Sequence, residues 1–248
     1  MNAENAQNKE TGVLDNIVNI FLSPREAFES IQKKSNWWIP ILILLAAFYI
    51  MLFFTMDIQF QDQMEIMRIR MAQNPDAAPQ FDPSQGPPEG PMMIIMKVAP
   101  FIGGTIMLGV SFVVLAGIFI FTGNVVMGGD ARFKDIFSVV AWTSLIGAVG
   151  LLVRMAFILA KQTIIGITTS PAILLKMPEV GKGAPVLYRL LLRFDLFAVW
   201  QNIIYIIGFS VIYKISTKKS AIMVCSLWLT YILVVVLLNL DRFMGSPF

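Results

Sequence analysis

The chain has 248 residues, 56% of them apolar and only 14% charged, with a net charge of +3. A soluble domain carries about a quarter charged residues, so this composition points into a membrane, and the small net charge without a basic block points away from nucleic acid. There is no histidine and a single cysteine, Cys225, which excludes an internal disulfide, a Cys/His zinc site, and Ser–His or His-dependent metalloprotease chemistry.

The first twelve residues are polar, and the first long apolar run has no small-residue cleavage site after it; an uncleaved anchor is expected. Leu14, Ile17, Val18 and Phe21 recur at i, i+3, i+4 and i+7, one face of a helix. A second helix should start at "SPRE", with Ser23 as cap, Pro24 in the first helical position and Glu26 closing a capping box. Ala27, Phe28 and Ile31 form its narrow apolar face. Two amphipathic helices hinged near Ser23 are therefore expected along the cytoplasmic leaflet. Lys33 and Lys34 would meet headgroups, and Trp37 and Trp38 would mark the interface. The same stripe would suit a docking partner helix.

A helix crossing the hydrocarbon needs about 20 apolar residues. Five runs qualify, at 37–56, 98–121, 136–159, 194–215 and 220–240, leaving 1–36 as a cytoplasmic segment and 241–248 as a short tail. The expected fold is all-α: a polytopic bundle of five transmembrane helices with amphipathic interfacial helices. An odd number of spans puts the termini on opposite sides. Lys33 and Lys34 precede the first span and Asp57 and Asp62 follow it, which predicts a cytoplasmic N-terminus and an outer C-terminus.

The outer loop 57–91 holds two basic and six acidic residues. Phe60, Met64, Met67 and Met71 share a helical face there, and "NPDAAPQFDPSQGPPEGP" after them predicts extended chain. These methionines, with Met92, Met93 and Met96, read as packing filler rather than a Cu(I) site. Cys225 reads as a packing thiol, and no cofactor is expected. The second outer loop contains "APVLYRLLLRF", which should lie along the interface with its arginines reaching up to water.

A charge inside a span costs about 2.5–3.5 kcal/mol or more, so Arg154 is the best candidate for function. Thr143, Gly147, Gly150 and Arg154 share one face of span three, and the glycines let a neighbouring helix approach. Asp195 begins span four on the same side, with Asn202 on the same face. An Arg154–Asp195 pair joined by Asn202 is expected. The competing expectation has Arg154 reaching the interface and pairing with nothing. Gln201, Tyr205 and Gly208 form a further row, expected to serve packing.

Three patterns, in order, resemble the Yip family of membrane proteins, named for binding Ypt/Rab GTPases. They are "FLSPREAFESI" before "WWIPILIL"; "GGDARFKDIFSVVAWTSLIG"; and "FDLFAVWQNIIYIIGFS", in which Asp195, Phe197 and Trp200 match the family's Asp-x-Phe-x-x-Trp. Family members often carry a proline early in span three, where Ser144 to Ile146 stand here. The short N-terminal region looks more like the bacterial branch. The resemblance implies a non-catalytic, polytopic protein that binds other membrane proteins. Eukaryotic relatives act in vesicle traffic and organelle shape, and some bacterial relatives accompany ABC-type exporters. The expectation is thus a non-enzymatic adaptor or accessory subunit of an exporter or envelope-stress system, in the bacterial inner membrane. Its partners would be the bilayer and other membrane proteins, with homo-oligomers left open. The alternative is a small transporter or lipid-handling protein with a polar cavity at Arg154, Asp195 and Asn202. Catalysis is not expected, since Asp195 is the one carboxylate near the bundle interior.

Overall fold

The computed structural model describes residues 12–73 and 90–240. The proline-rich run expected to be extended falls, but for its last two residues, outside them, as does the tail. Among the described residues every regular element is helical. Two short helices come first, α1 (Val13–Leu22) and α2 (Pro24–Lys33), separated by Ser23 alone. The long α3 (Trp38–Gln73) follows, with Pro40 in its first turn, where a missing N–H costs nothing. The apolar run and the Phe60/Met64/Met67/Met71 face expected beyond it thus form one uninterrupted helix of 36 residues. Near its middle, Thr55 donates its hydroxyl to the Met51 carbonyl (2.6 Å) and accepts from Gln59 (2.7 Å), so these polar groups are satisfied within the helix.

Helix α4 (Pro91–Ile120) starts on a proline, carries Pro100 inside, and runs into a π-helical turn, Phe121–Val126. Helix α5 (Phe133–Lys161) is continuous through Ser144–Ile146. A 3-10 turn (Pro171–Leu174) and the short α6 (Val186–Leu192) lead to α7 (Leu196–Ile212), bent 53° from α6. Helix α8 (Thr217–Leu237) closes the described chain. Among the described residues four helices are long and apolar enough to cross a membrane, or five if the bent α6–α7 pair is one span.

The chain divides into two compact units, Met1–Leu44, Val110–Gly147 and Trp200–Cys225 forming the first, and Leu45–Gly109, Ala148–Val199 and Ser226–Phe248 the second. The first unit is built around Phe28, Ile31, Ile136, Val139, Trp142, Ile146, Ile204 and Phe209, all almost fully buried. Phe119 packs within it at a tilt against Phe209 and Tyr205, ring centroids 4.3 and 5.3 Å apart. Ser220 ties the start of α8 to α7 by donating to the Ile206 carbonyl at 2.7 Å.

In the second unit Gly104 makes room for the Phe48 ring, and Tyr49 stacks on Phe101. Lys97 pairs with Asp57 at 2.9 Å. Asp62 accepts from the Thr163 hydroxyl (2.8 Å) and the Ile164 N–H (2.5 Å), fixing the chain just after α5. The segment from there to α6 has a small core of its own: Ala172 and Tyr188, covered by Ile165, Val180, Ala184, Leu191 and Leu192.

Candidate functional site

On α5 the row Thr143, Gly147, Gly150, Arg154 meets α7 over its glycines and leaves it at the arginine. A Cβ at Gly147 would lie 2.7 Å from the Gln201 amide nitrogen, and one at Gly150 2.9 Å from the Phe197 ring. At both positions a side chain would collide with α7. Arg154, one turn further on, is exposed. Among the described residues no ion pair joins it to Asp195. The expected pairing is corrected to a free-ended arginine on an open helix flank, because Asp195 is taken up by its own helix.

The Asp195 carboxylate accepts from the backbone N–H of Phe197 (2.9 Å) and Ala198 (3.3 Å), the second and third residues of α7. It also accepts from the Thr169 hydroxyl, while the Leu196 N–H donates to the Thr169 carbonyl at 3.3 Å. This is an N-cap: a carboxylate satisfying the orphan donors and favouring the positive end of the helix dipole. Phe197 then lies on Gly150, and Trp200 meets Phe21 of α1 edge-on with centroids 5.7 Å apart. The Asp-x-Phe-x-x-Trp pattern is therefore one cap and two packing rings. Asn202, two turns into α7, is half-buried.

Arg189 on α6 was expected to reach up to water. It is instead buried, with one guanidinium nitrogen 2.6 Å from the Val236 carbonyl and another 2.5 Å from Asn239. Asn239 sits at φ 54° just past the end of α8. The guanidinium thus caps the carbonyl end of α8, where a cation is favoured. Val186 and Leu187 are the residues of α6 left exposed.

The N-terminal helices form where expected, with two corrections. Ser23 occupies the cap position and Pro24 the first position of α2, but the Ser23 hydroxyl makes no cap bond, and the box with Glu26 does not close. Ser23 is also the last residue of the α1 turn, its N–H donating to the Asn19 carbonyl, and its backbone (φ −140°, ψ 62°) is outside the usual cap geometry. The second correction concerns Phe28, expected against lipid. It is fully buried on protein, its ring over Gly208, where a Cβ would come within 2.9 Å of it and 2.7 Å of Val139. Trp37 and Trp38 remain exposed, Trp37 edge-on to Phe137.

Sequence reasoning missed the turn between α4 and α5. Asn124 in the π-helical turn accepts from the Ala131 N–H (3.1 Å) and donates to the Ala131 carbonyl (2.9 Å), clamping the intervening loop. The Tyr213 ring rests on Gly123 and Gly129, at 2.1 and 2.6 Å from where their Cβ atoms would be. Gly128 takes φ +70°, leaving Gly129 to supply the room. The signal was present as a glycine pair after an asparagine, but its partner lies far along the chain. Arg132 nearby forms a hydrogen bond and ion pair with Asp135 that hold its pKa above the ordinary arginine value. Among the described residues no group of three or more His, Cys, Asp or Glu is placed to hold a metal.

Together these features define an all-α, multi-pass integral membrane protein in which Asp195 and Arg189 build helix ends. The chain matches the Yip1 domain family over residues 18–238 and belongs to that family. No curated protein and no solved structure matches it.

Proposed function

We propose that this protein is a non-enzymatic membrane adaptor or accessory subunit that binds other membrane proteins, with components of an ABC-type exporter or envelope-stress system as the partners to seek. The observation that supports it is how the polar side chains near the span ends are used. Asp195 caps α7, Arg189 caps α8, and Asn124 clamps a loop. A transporter or lipid-handling protein would instead turn Arg154, Asp195 and Asn202 into one polar cavity; Asp195 is committed elsewhere and Arg154 is exposed. The apolar surface is large by contrast. Only 17% of the spanning window of α4 is buried, against 61% for α5, and flanks of this kind are what neighbouring spans pack on.

The proposed setting is the inner membrane with the N-terminus in the cytoplasm, supported by Lys33 and Lys34 before α3 and Asp57 and Asp62 further along it. Affinity purification from native membranes in mild detergent, with mass spectrometry, tests the reading. It expects one or a few membrane proteins at near-stoichiometric yield. Recovery of nothing above background would remove it.

A further inference from the structure

Helix α1 has four distinct sides. Asn16 and Ile20, one turn apart, are buried on the bundle. Directly opposite, Leu14, Val18 and Leu22 recur at i, i+4 and i+8 and are 77%, 53% and 77% exposed. Asp15 and Asn19 occupy one edge between these sides, and half-buried Ile17 and Phe21 the other. A helix in water would keep polar residues on its free side. Here the polar residues other than buried Asn16 are confined to one narrow edge, and the side facing away from the protein is purely aliphatic.

We propose that α1 lies in the membrane interface with its Leu14/Val18/Leu22 side inserted among lipid acyl chains, in the leaflet where α3 begins. The four sides then each have a medium: protein, lipid, the water-facing edge at Asp15 and Asn19, and the deeper edge at Ile17 and Phe21. Bilayer rather than protein is the occupant for two reasons. Three aliphatic side chains fall well short of the roughly 800 Å² per partner that a stable protein interface needs. Trp38, the first residue of α3, and Trp37 just before it belong to the same compact unit and are exposed, and indole rings concentrate at headgroup level. An amphipathic helix seated there buries its apolar side about 5–10 Å into the headgroup and acyl boundary. The lipid-seated element is therefore α1, while α2 is seated on Gly208 of α7 through Phe28.

Single cysteines at Leu14, Val18, Asp15 and Asn19, in a Cys225→Ala background, give the test. Each is labelled with a small environment-sensitive fluorophore and the full chain is reconstituted in phosphatidylglycerol/phosphatidylethanolamine vesicles containing lipids spin-labelled on the acyl chain. Quenching should be several-fold stronger at Leu14 and Val18 than at Asp15 and Asn19. Equal quenching at all four positions would overturn the assignment. So would disulfide-linked dimers through Val18→Cys with weak lipid quenching, which would give the surface to a second copy. All four positions lie on α1 outside the buried pair, so the fold is kept. Proteolytic resistance of α2 in each labelled protein checks this; Leu22→Cys replaces a lipid-side variant that fails the check, and the water-edge position that passes serves alone as the reference if the other fails.

Discussion

Helices α1 and α2 share a length of ten residues and an amphipathic pattern, and are joined by Ser23, although α1 is the more apolar of the two. Their outcomes differ. α2 buries Ala27, Phe28 and Ile31 completely, whereas α1 buries Asn16 and Ile20 and leaves its aliphatic stripe outside. Periodicity reports which residues share a face but is silent on what the face meets. The difference is made 180 residues away, at Gly208, where the missing side chain opens the seat that Phe28 fills.

The largest expected effect breaks that seat. Phe28→Ala should cost about 3–5 kcal/mol, the usual loss for a large aromatic removed from a core, read as a lower thermal midpoint in detergent. Equal replacement of Leu14 or Val18 should shift the midpoint little, since exposed side chains stay within about 0.5 kcal/mol. A similar loss at both places would erase the distinction between the two helices. Gly208→Ala comes next. Its new methyl must displace Val139 or the Phe28 ring, an overpacking cost of about 1–3 kcal/mol. Gly117→Ala, with nothing within 4 Å of the added atom, should be neutral or slightly stabilising through helix propensity. The ordering of these two variants is itself the check.

Asn16 sharpens the comparison from the side of α1. Its amide oxygen is buried without a hydrogen-bond partner among the described residues, a cost of about 1–3 kcal/mol. Asn16→Leu should therefore tighten α1 against the bundle. Hydrogen exchange of α1 amides should slow by about tenfold for each 1.4 kcal/mol gained, with α2 amides unchanged. Faster exchange in α1 would show that the amide contributes a bond to the docked helix.

The spans were legible because apolar runs of membrane length have few other uses, and the family patterns were legible as patterns. What each polar residue does was not. Asp195 and Arg154 are both charged residues in apolar surroundings, and sequence spacing favoured pairing them. Asp195 could have been recognised as a cap from its place just ahead of the helix. Arg189 could not, because the carbonyl it satisfies at Val236 lies 47 residues on. Clamps such as Asn124 on Ala131 and seats such as Gly208 under Phe28 are set by tertiary neighbours, which a one-dimensional pattern does not carry.

The smallest effect separates Asp195 as a cap from Asp195 as an ion-pair partner. Loss of an N-cap costs about 0.5–2 kcal/mol, so Asp195→Ala should lower stability by that amount and Asp195→Asn by less, since an amide oxygen also accepts from the α7 N–H groups. Arg154→Ala, at an exposed position, should change little by itself. In the double variant the two losses should add, because independent sites add within about 0.5 kcal/mol. A coupling larger than that would restore the pair and would require the Asp195 carboxylate to leave the amides of Phe197 and Ala198. The conservative variant decides between the two roles on its own: an ion pair is lost with the charge, whereas a cap outlives it.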